Sequence, residues 1–127
     1  MDIFVSKQNR RVSVEDVRNT IEKPNYTSIV AVDDDKIVGV VGLAETQFFT
    51  GNTGVLDELA VNPEYRRKGI ASQLVKKLVE IAKEKRLSYV KLDTTAENDT
   101  ANMLYEKVGF ERKEDTTYKL YLFHLYE

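Results

Sequence analysis

The sequence predicts an α/β domain: a mixed β-sheet flanked by helices, with only a short helical region on its N-terminal side. Three observations carry this expectation. β-Branched runs follow one another through tight turns, as in hairpins; one long segment then changes cleanly to a helical period; and a strand–helix–strand order follows, which demands a parallel crossover. The expected order is β-α-β-β-β-α-β-α-β. At 127 residues the chain is read as one domain, 1–127, long enough to bury about two-thirds of its unfolded surface in a single core. It contains no internal repeat and no linker-like stretch, so its Pro 2 and Gly 6 mark turns and not a boundary.

Asp2–Val5 reads as a short first strand. Ser13 is placed to cap a helix with acidic residues in its first turn and Val14, Val17 and Ile21 on one face; Pro24 ends it near residue 22. Tyr26–Val32 and Ile37–Glu45 are strands around the acidic turn Asp33-Asp34-Asp35-Lys36. A third strand, Thr53–Val61, is entered through Thr50-Gly51-Asn52 and stopped by Asn62-Pro63. From Gly69 onward, Ile70, Ala71, Leu74, Val75, Leu78, Ile81 and Ala82 recur at helical spacing, with Lys76, Lys77, Glu80, Lys83 and Glu84 on the other face. Leu87–Leu92 reads as a strand, Asn98–Lys107 as a helix closed by Gly109, and Tyr118–Tyr126 as a last strand.

Composition removes several kinds of chemistry. With Cys 0 there is no disulfide, no thiolate metal site and no cysteine nucleophile. His124 is the only imidazole and reads as structural or exposed, so neither a metal centre nor Ser-His machinery is expected. Lys+Arg 19 against Asp+Glu 21 gives a net charge of -2, which offers no broad basic footprint for nucleic acid. No apolar run reaches the roughly 20 residues of a membrane helix, and MDIFVSKQNRR does not read as a secretory signal. The expected setting is the cytoplasm.

The segment with chemical content is Val61–Ser72, a strand end, a loop holding Arg66-Arg67-Lys68-Gly69, and a helix start. A helix N-terminus presents unpaired N–H groups and the positive end of the dipole. Gly69 admits close approach, Ala71 keeps the wall low, and three cations stand beside it; this build suits a pyrophosphate. Neither G-x-x-x-x-G-K-[ST] nor G-x-G-x-x-G is present. Taken alone, the three cations are equally well explained as a solvated loop.

Arg66-Arg67-Lys68-Gly69-Ile70-Ala71 resembles the R/Q-x-x-G-x-G/A element of the GNAT superfamily of N-acetyltransferases, and it follows a strand ending Leu59-Ala60-Val61-Asn62-Pro63, as in that family. Asn98 to Phe110 resembles the family's second signature, N-x-x-A-x-x-x-Y-x-x-x-G-F. The resemblance covers about residues 26–127. It implies a GNAT-like fold and the transfer of an acetyl group from acetyl-CoA, with no metal, to a primary amine of a small molecule, peptide or protein.

Position by position, the resemblance implies that the pyrophosphate rests on the backbone from Arg67 through Lys68, Gly69 and Ile70 to Ala71, with Ser72 in reach and Arg66 and Lys68 adding charge. Pantetheine would run as an added strand beside Leu59, Ala60 and Val61, in a gap toward Leu87–Leu92 that a bulge near Leu59–Ala60 would open. Asn98 would contact the pantetheine arm, and it also fits a plain helix cap. Tyr105 would protonate the departing thiolate, against the alternative of an aromatic core residue. For the base, the strand carboxylates Asp57 and Glu58, or water, are the candidates; Glu58 is preferred, and alternation sets the two on opposite faces.

Direct attack within a ternary complex is the expected mechanism, since no thiol exists to carry an acetyl group. The short region before the hairpin implies an open acceptor side, or one closed by a second subunit in a homodimer. A CoA-binding module without catalysis, serving as a sensor or partner subunit, is the alternative reading.

Overall fold

In the computed structural model, residues 4–5, 11–12, 14–94, 97–114 and 117–122 are described. The elements are β1 (Phe4–Val5), β2 (Arg11–Val12), α1 (Val14–Ile21), β3 (Tyr26–Asp33), β4 (Lys36–Phe48), β5 (Gly51–Val61), a 3-10 turn (Pro63–Tyr65), α2 (Ile70–Glu84), β6 (Val90–Lys91) and α3 (Asp99–Val108). Strands β3-β4-β5-β6 form one sheet, antiparallel except for the parallel β5–β6 pair, so the mixed α/β architecture is as the sequence predicts.

The hairpins arise from local chemistry. Asp33 pairs with Lys36, and the intervening Asp34 and Asp35 sit at φ 47 and 64, as a tight reversal between twisted strands requires. The next reversal joins Phe48 to Gly51, so β4 and β5 both run further than their β-branched cores suggested. β4 exposes its end, where Thr46, Gln47 and Phe48 continue the ladder without contributing to the core.

Helix α2 lies on one face of this sheet. Leu74, Val75, Leu78 and Ala82 pack with Val41 and Leu43 of β4 and Leu56 of β5 in one buried cluster. Burial of each such leucine contributes about 1.5–3 kcal/mol, which fixes the helix against the sheet far more firmly than its intrinsic propensity does. At the far end of α2 Lys85 pairs with Glu45 at 3.1 Å, worth at most about 1 kcal/mol at this exposure.

Three sequence expectations change. β1 pairs with β2 antiparallel in a separate two-stranded sheet and does not join the main one; pairing with a near neighbour costs less loop-closure entropy than reaching the distant sheet. The strand expected at Leu87–Leu92 narrows to Val90–Lys91, which among the described residues pairs with Gly54 and Val55 alone. The strand expected at Tyr118–Tyr126 is not formed over its described part, 118–122, where Tyr118 and Leu120 stand exposed. Ser13 and His124 lie outside the described residues.

Leu78 is fully buried at the centre of the cluster. Leu78→Ala is expected to lower unfolding free energy by about 2–5 kcal/mol in denaturant titration, whereas Lys77→Ala on the solvent face should stay within about 0.5 kcal/mol.

Candidate active site

β5 keeps register with β4 at both ends but slips in the middle. Gly42 pairs with Asp57 and Val40 with Ala60, so Val41 faces the two residues Glu58 and Leu59. This is a β-bulge, and Glu58 occupies it at φ 48. The side chains record the slip: Leu56 points into the cluster under α2 before the bulge, and Leu59 and Val61 pack against that cluster after it. The bulge thus lies one residue earlier than Leu59–Ala60, and the parallel ladder to β6 stops short of it at Val55. Among the described residues, Leu59, Ala60 and Val61 have β4 on one side and no strand on the other.

The chain then turns sharply into α2. The side-chain oxygen of Asn62 accepts from the Glu64 N–H at 3.0 Å, and Pro63 starts the 3-10 turn. Arg66 folds back so that its Nε donates to the Val61 carbonyl at 3.3 Å, tying the loop to the strand end. Arg67 at φ 64 and Gly69 at φ 80 are both left-handed, and they swing the backbone into the helix axis. No side chain caps α2, and a Cβ placed on Gly69 would meet only open space within 4 Å. The N–H groups of the first turn, at Ile70, Ala71 and Ser72, therefore face outward beside three exposed cations, Arg66, Arg67 and Lys68.

Tyr65 braces this loop from below. Its hydroxyl donates to Asp33 Oδ2 at 3.0 Å, which raises the phenol's pKa, and Lys68 Nζ lies 5.2 Å from its ring centroid. The acidic turn is thereby a support for the cationic loop as well as a reversal.

On α3, the Asn98 side chain accepts from the Ala101 N–H at 3.2 Å and caps the helix. Its other end is a Schellman arrangement: Gly109 at φ 119, its N–H donating to the Glu106 carbonyl and the Phe110 N–H to the Tyr105 carbonyl. That closure brings Phe110 back onto Tyr105, ring edge to face, at a centroid distance of 5.8 Å. Tyr105 packs against the α2 cluster, and burial raises its phenol pKa, so it remains a protonated donor at neutral pH.

The strand carboxylates differ in setting. Glu58 is exposed at the bulge, whereas Asp57 is half-buried on the sheet face opposite α2, where its Oδ2 accepts from the Tyr26 hydroxyl at 2.9 Å. Tyr26 reaches Asp57 across β4 because Gly42 stands between them; a Cβ there would overlap the hydroxyl. Burial, then the hydrogen bond to Asp57 and the charges of Asp57 and Glu58, hold the Tyr26 phenol well above the ordinary tyrosine range. Neither Tyr26 nor Gly42 belongs to a sequence motif; a lone glycine inside a strand pattern is the one signal of such a close approach.

The acetyltransferase (GNAT) family model matches residues 2–110. The chain belongs to this family. The GNAT coenzyme is acetyl-CoA, and the uncapped N-terminus of α2 with its neighbouring cations fits a pyrophosphate in this chain too. N-alpha-acetyltransferase 30 of Schizosaccharomyces pombe is 32% identical over 100 residues, 77% of this chain; the match spans 63% of that relative's length. Among solved structures, a soil-metagenome aminoglycoside acetyltransferase in complex with trehalose superposes with a TM-score of 0.76 at 20% identity, covering 91% of this chain and 78% of that one. AAC(6')-Iy in complex with the bisubstrate analogue CoA-S-monomethyl-acetylneamine superposes at 0.72 and 20% identity, covering 85% of this chain and 77% of that one. At this identity the structures establish a shared fold. The family is one of acetyltransferases, and the curated relative is an N-acetyltransferase. No helix among the described residues is long and apolar enough to cross a membrane.

Gly42→Ala should force Tyr26 off Asp57 and lower unfolding free energy by about 1–3 kcal/mol. In a Tyr26→Ala background the same change should be neutral or stabilising, since alanine outperforms glycine within a strand once the space is empty. Chemical denaturation of the four proteins reads both effects, and an equal cost in both backgrounds would contradict the contact.

Proposed function

We propose that the protein transfers an acetyl group from acetyl-CoA directly to a primary amine, a peptide α-amine or a small-molecule amine, within a ternary complex. The observation that carries this reading is the joining of two features by one short turn: the free side of Leu59–Val61 and the uncapped start of α2. A peptide-like pantetheine arm matches the first and a pyrophosphate the second.

Acetyl-CoA supplies the activated thioester. In this reading, the backbone N–H groups from Arg67 to Ala71 hold the pyrophosphate, with Ser72 beside them and Arg66 and Lys68 adding long-range attraction. Leu59, Ala60 and Val61 align the pantetheine arm, and Asn98 contacts it from the start of α3. Glu58, projecting at the bulge, takes the proton of the attacking ammonium directly or through water. As the amine nitrogen bonds to the carbonyl carbon, the carbon–sulfur bond breaks, Tyr105 gives its proton to the leaving sulfur, and the nitrogen's second proton passes, directly or through water, to the phenolate so formed, which restores Tyr105. Burial raises the phenol's pKa and so keeps its proton in place at neutral pH, where it is available to the sulfur as the thiolate departs.

The choice of amine draws on the relatives. An N-alpha-acetyltransferase matches over most of the chain, which supports a peptide α-amine as one acceptor class.

Release of CoA thiol is the test, run with acetyl-CoA against polyamines, aminoglycosides, amino acids and free-α-amine peptides. Turnover with intersecting double-reciprocal lines is expected; parallel lines would contradict direct transfer, and tight acetyl-CoA binding with no turnover would contradict catalysis. Tyr105→Phe should reduce kcat about 10²- to 10⁴-fold while leaving acetyl-CoA affinity unchanged.

A further inference from the structure

The Tyr26–Asp57 pair is not accounted for by the roles above. Three strands cooperate to make it: Tyr26 comes from β3, Gly42 opens β4, and Asp57 stands on β5 immediately before the bulge. Leu56 faces the α2 cluster, so Asp57 faces the other side of the sheet. The cations Arg66 to Lys68 stand at the N-terminus of α2, while Asp57 and Glu58 concentrate negative charge at the bulge. A half-buried carboxyl needs hydrogen-bond partners for its oxygens, and Tyr26 supplies one to Oδ2 at 2.9 Å. A tyrosine holds it in one rotamer with few degrees of freedom of its own.

We propose that Tyr26 is a positioning residue for the amine acceptor: it fixes Asp57 so that the remaining carboxylate oxygen, Oδ1, receives the acceptor's ammonium beside Glu58. This rests on the acetyl-transfer reading and deepens it by naming the acceptor class, a cationic amine that enters from the face opposite α2. Asp57 is the anchor in this arrangement and Glu58 the base. Tyr26 touches neither the thioester nor the amine.

The test is steady-state kinetics with spermidine, an aminoglycoside and a free-α-amine hexapeptide, using whichever acceptor the wild type turns over. Tyr26→Phe, which conserves the ring, should raise the acceptor KM about tenfold, with kcat within twofold and CoA affinity unchanged. Asp57→Asn should raise the same KM at least as far, and adding Tyr26→Phe to it should change KM by less than twofold. A merely structural tyrosine would lower stability without this split or this non-additivity. An unchanged acceptor KM in Tyr26→Phe, multiplying effects in the double variant, or weakened CoA binding would overturn the proposal while leaving the acetyl-transfer reading standing. Should Asp57→Asn fail to fold, the KM of Tyr26→Phe decides alone. Absence of turnover by the wild type on every amine would overturn both.

Discussion

Glu58 sits at φ 48, a conformation that costs a residue with a Cβ about 1–2 kcal/mol, and the pairing of β5 with β4 on either side holds it there. The rest of the site depends on that local strain. By inserting one residue, the bulge lets Leu56 and then Leu59 and Val61 face the same core. It also coincides with the divergence of β5 from β6, whose ladder ends at Val55. Without the extra residue, the alternation of β5 would carry Leu59 and Val61 to the face opposite α2 and leave the core incomplete. The core under α2 therefore opposes removal of the bulge, and stability of the fold maintains the opening in the sheet.

The candidate site is built largely from backbone. Gly69 supplies a left-handed helix start with open space before it, and Gly109 supplies a left-handed helix end that folds Phe110 onto Tyr105. One glycine leaves a helix start without a side-chain cap; the other seats Phe110 against the Tyr105 ring. The absence of cysteine and the presence of one histidine agree with the proposed reaction, in which the activated thioester would arrive with the coenzyme. What the chain would contribute in that reading is position: a dipole end, a strand edge with no partner among the described residues, a neutral phenol and two strand carboxylates.

Elements specified by local chemistry were legible in the sequence. The acidic turn at Asp33–Lys36, the period of α2, the Asn98 cap and the Gly109 stop each rest on neighbours within a few residues, and each is found where expected. Features specified by distant pairing were not. Whether the bulge lies at Glu58 or at Ala60 depends on which residue of β4 stands opposite, and β6 is short because β5 leaves it. Tyr26 meets Asp57 across 31 positions, a contact that becomes visible only once Gly42 is placed between them. The aromatic tail shows the same limit: its alternating pattern suits a strand, but pattern supplies no partner, and residues 118–122 form no ladder.

In the proposed reading, one bulge and one uncapped helix start form a single coenzyme cradle from backbone amides. Amide hydrogen exchange with and without CoA tests it most directly, since it reads those amides themselves. Added protection is expected at Leu59–Val61 and at residues 67–72, with the β3–β4 hairpin pairs little changed. Protection confined to other elements, or none at saturating CoA, would contradict it.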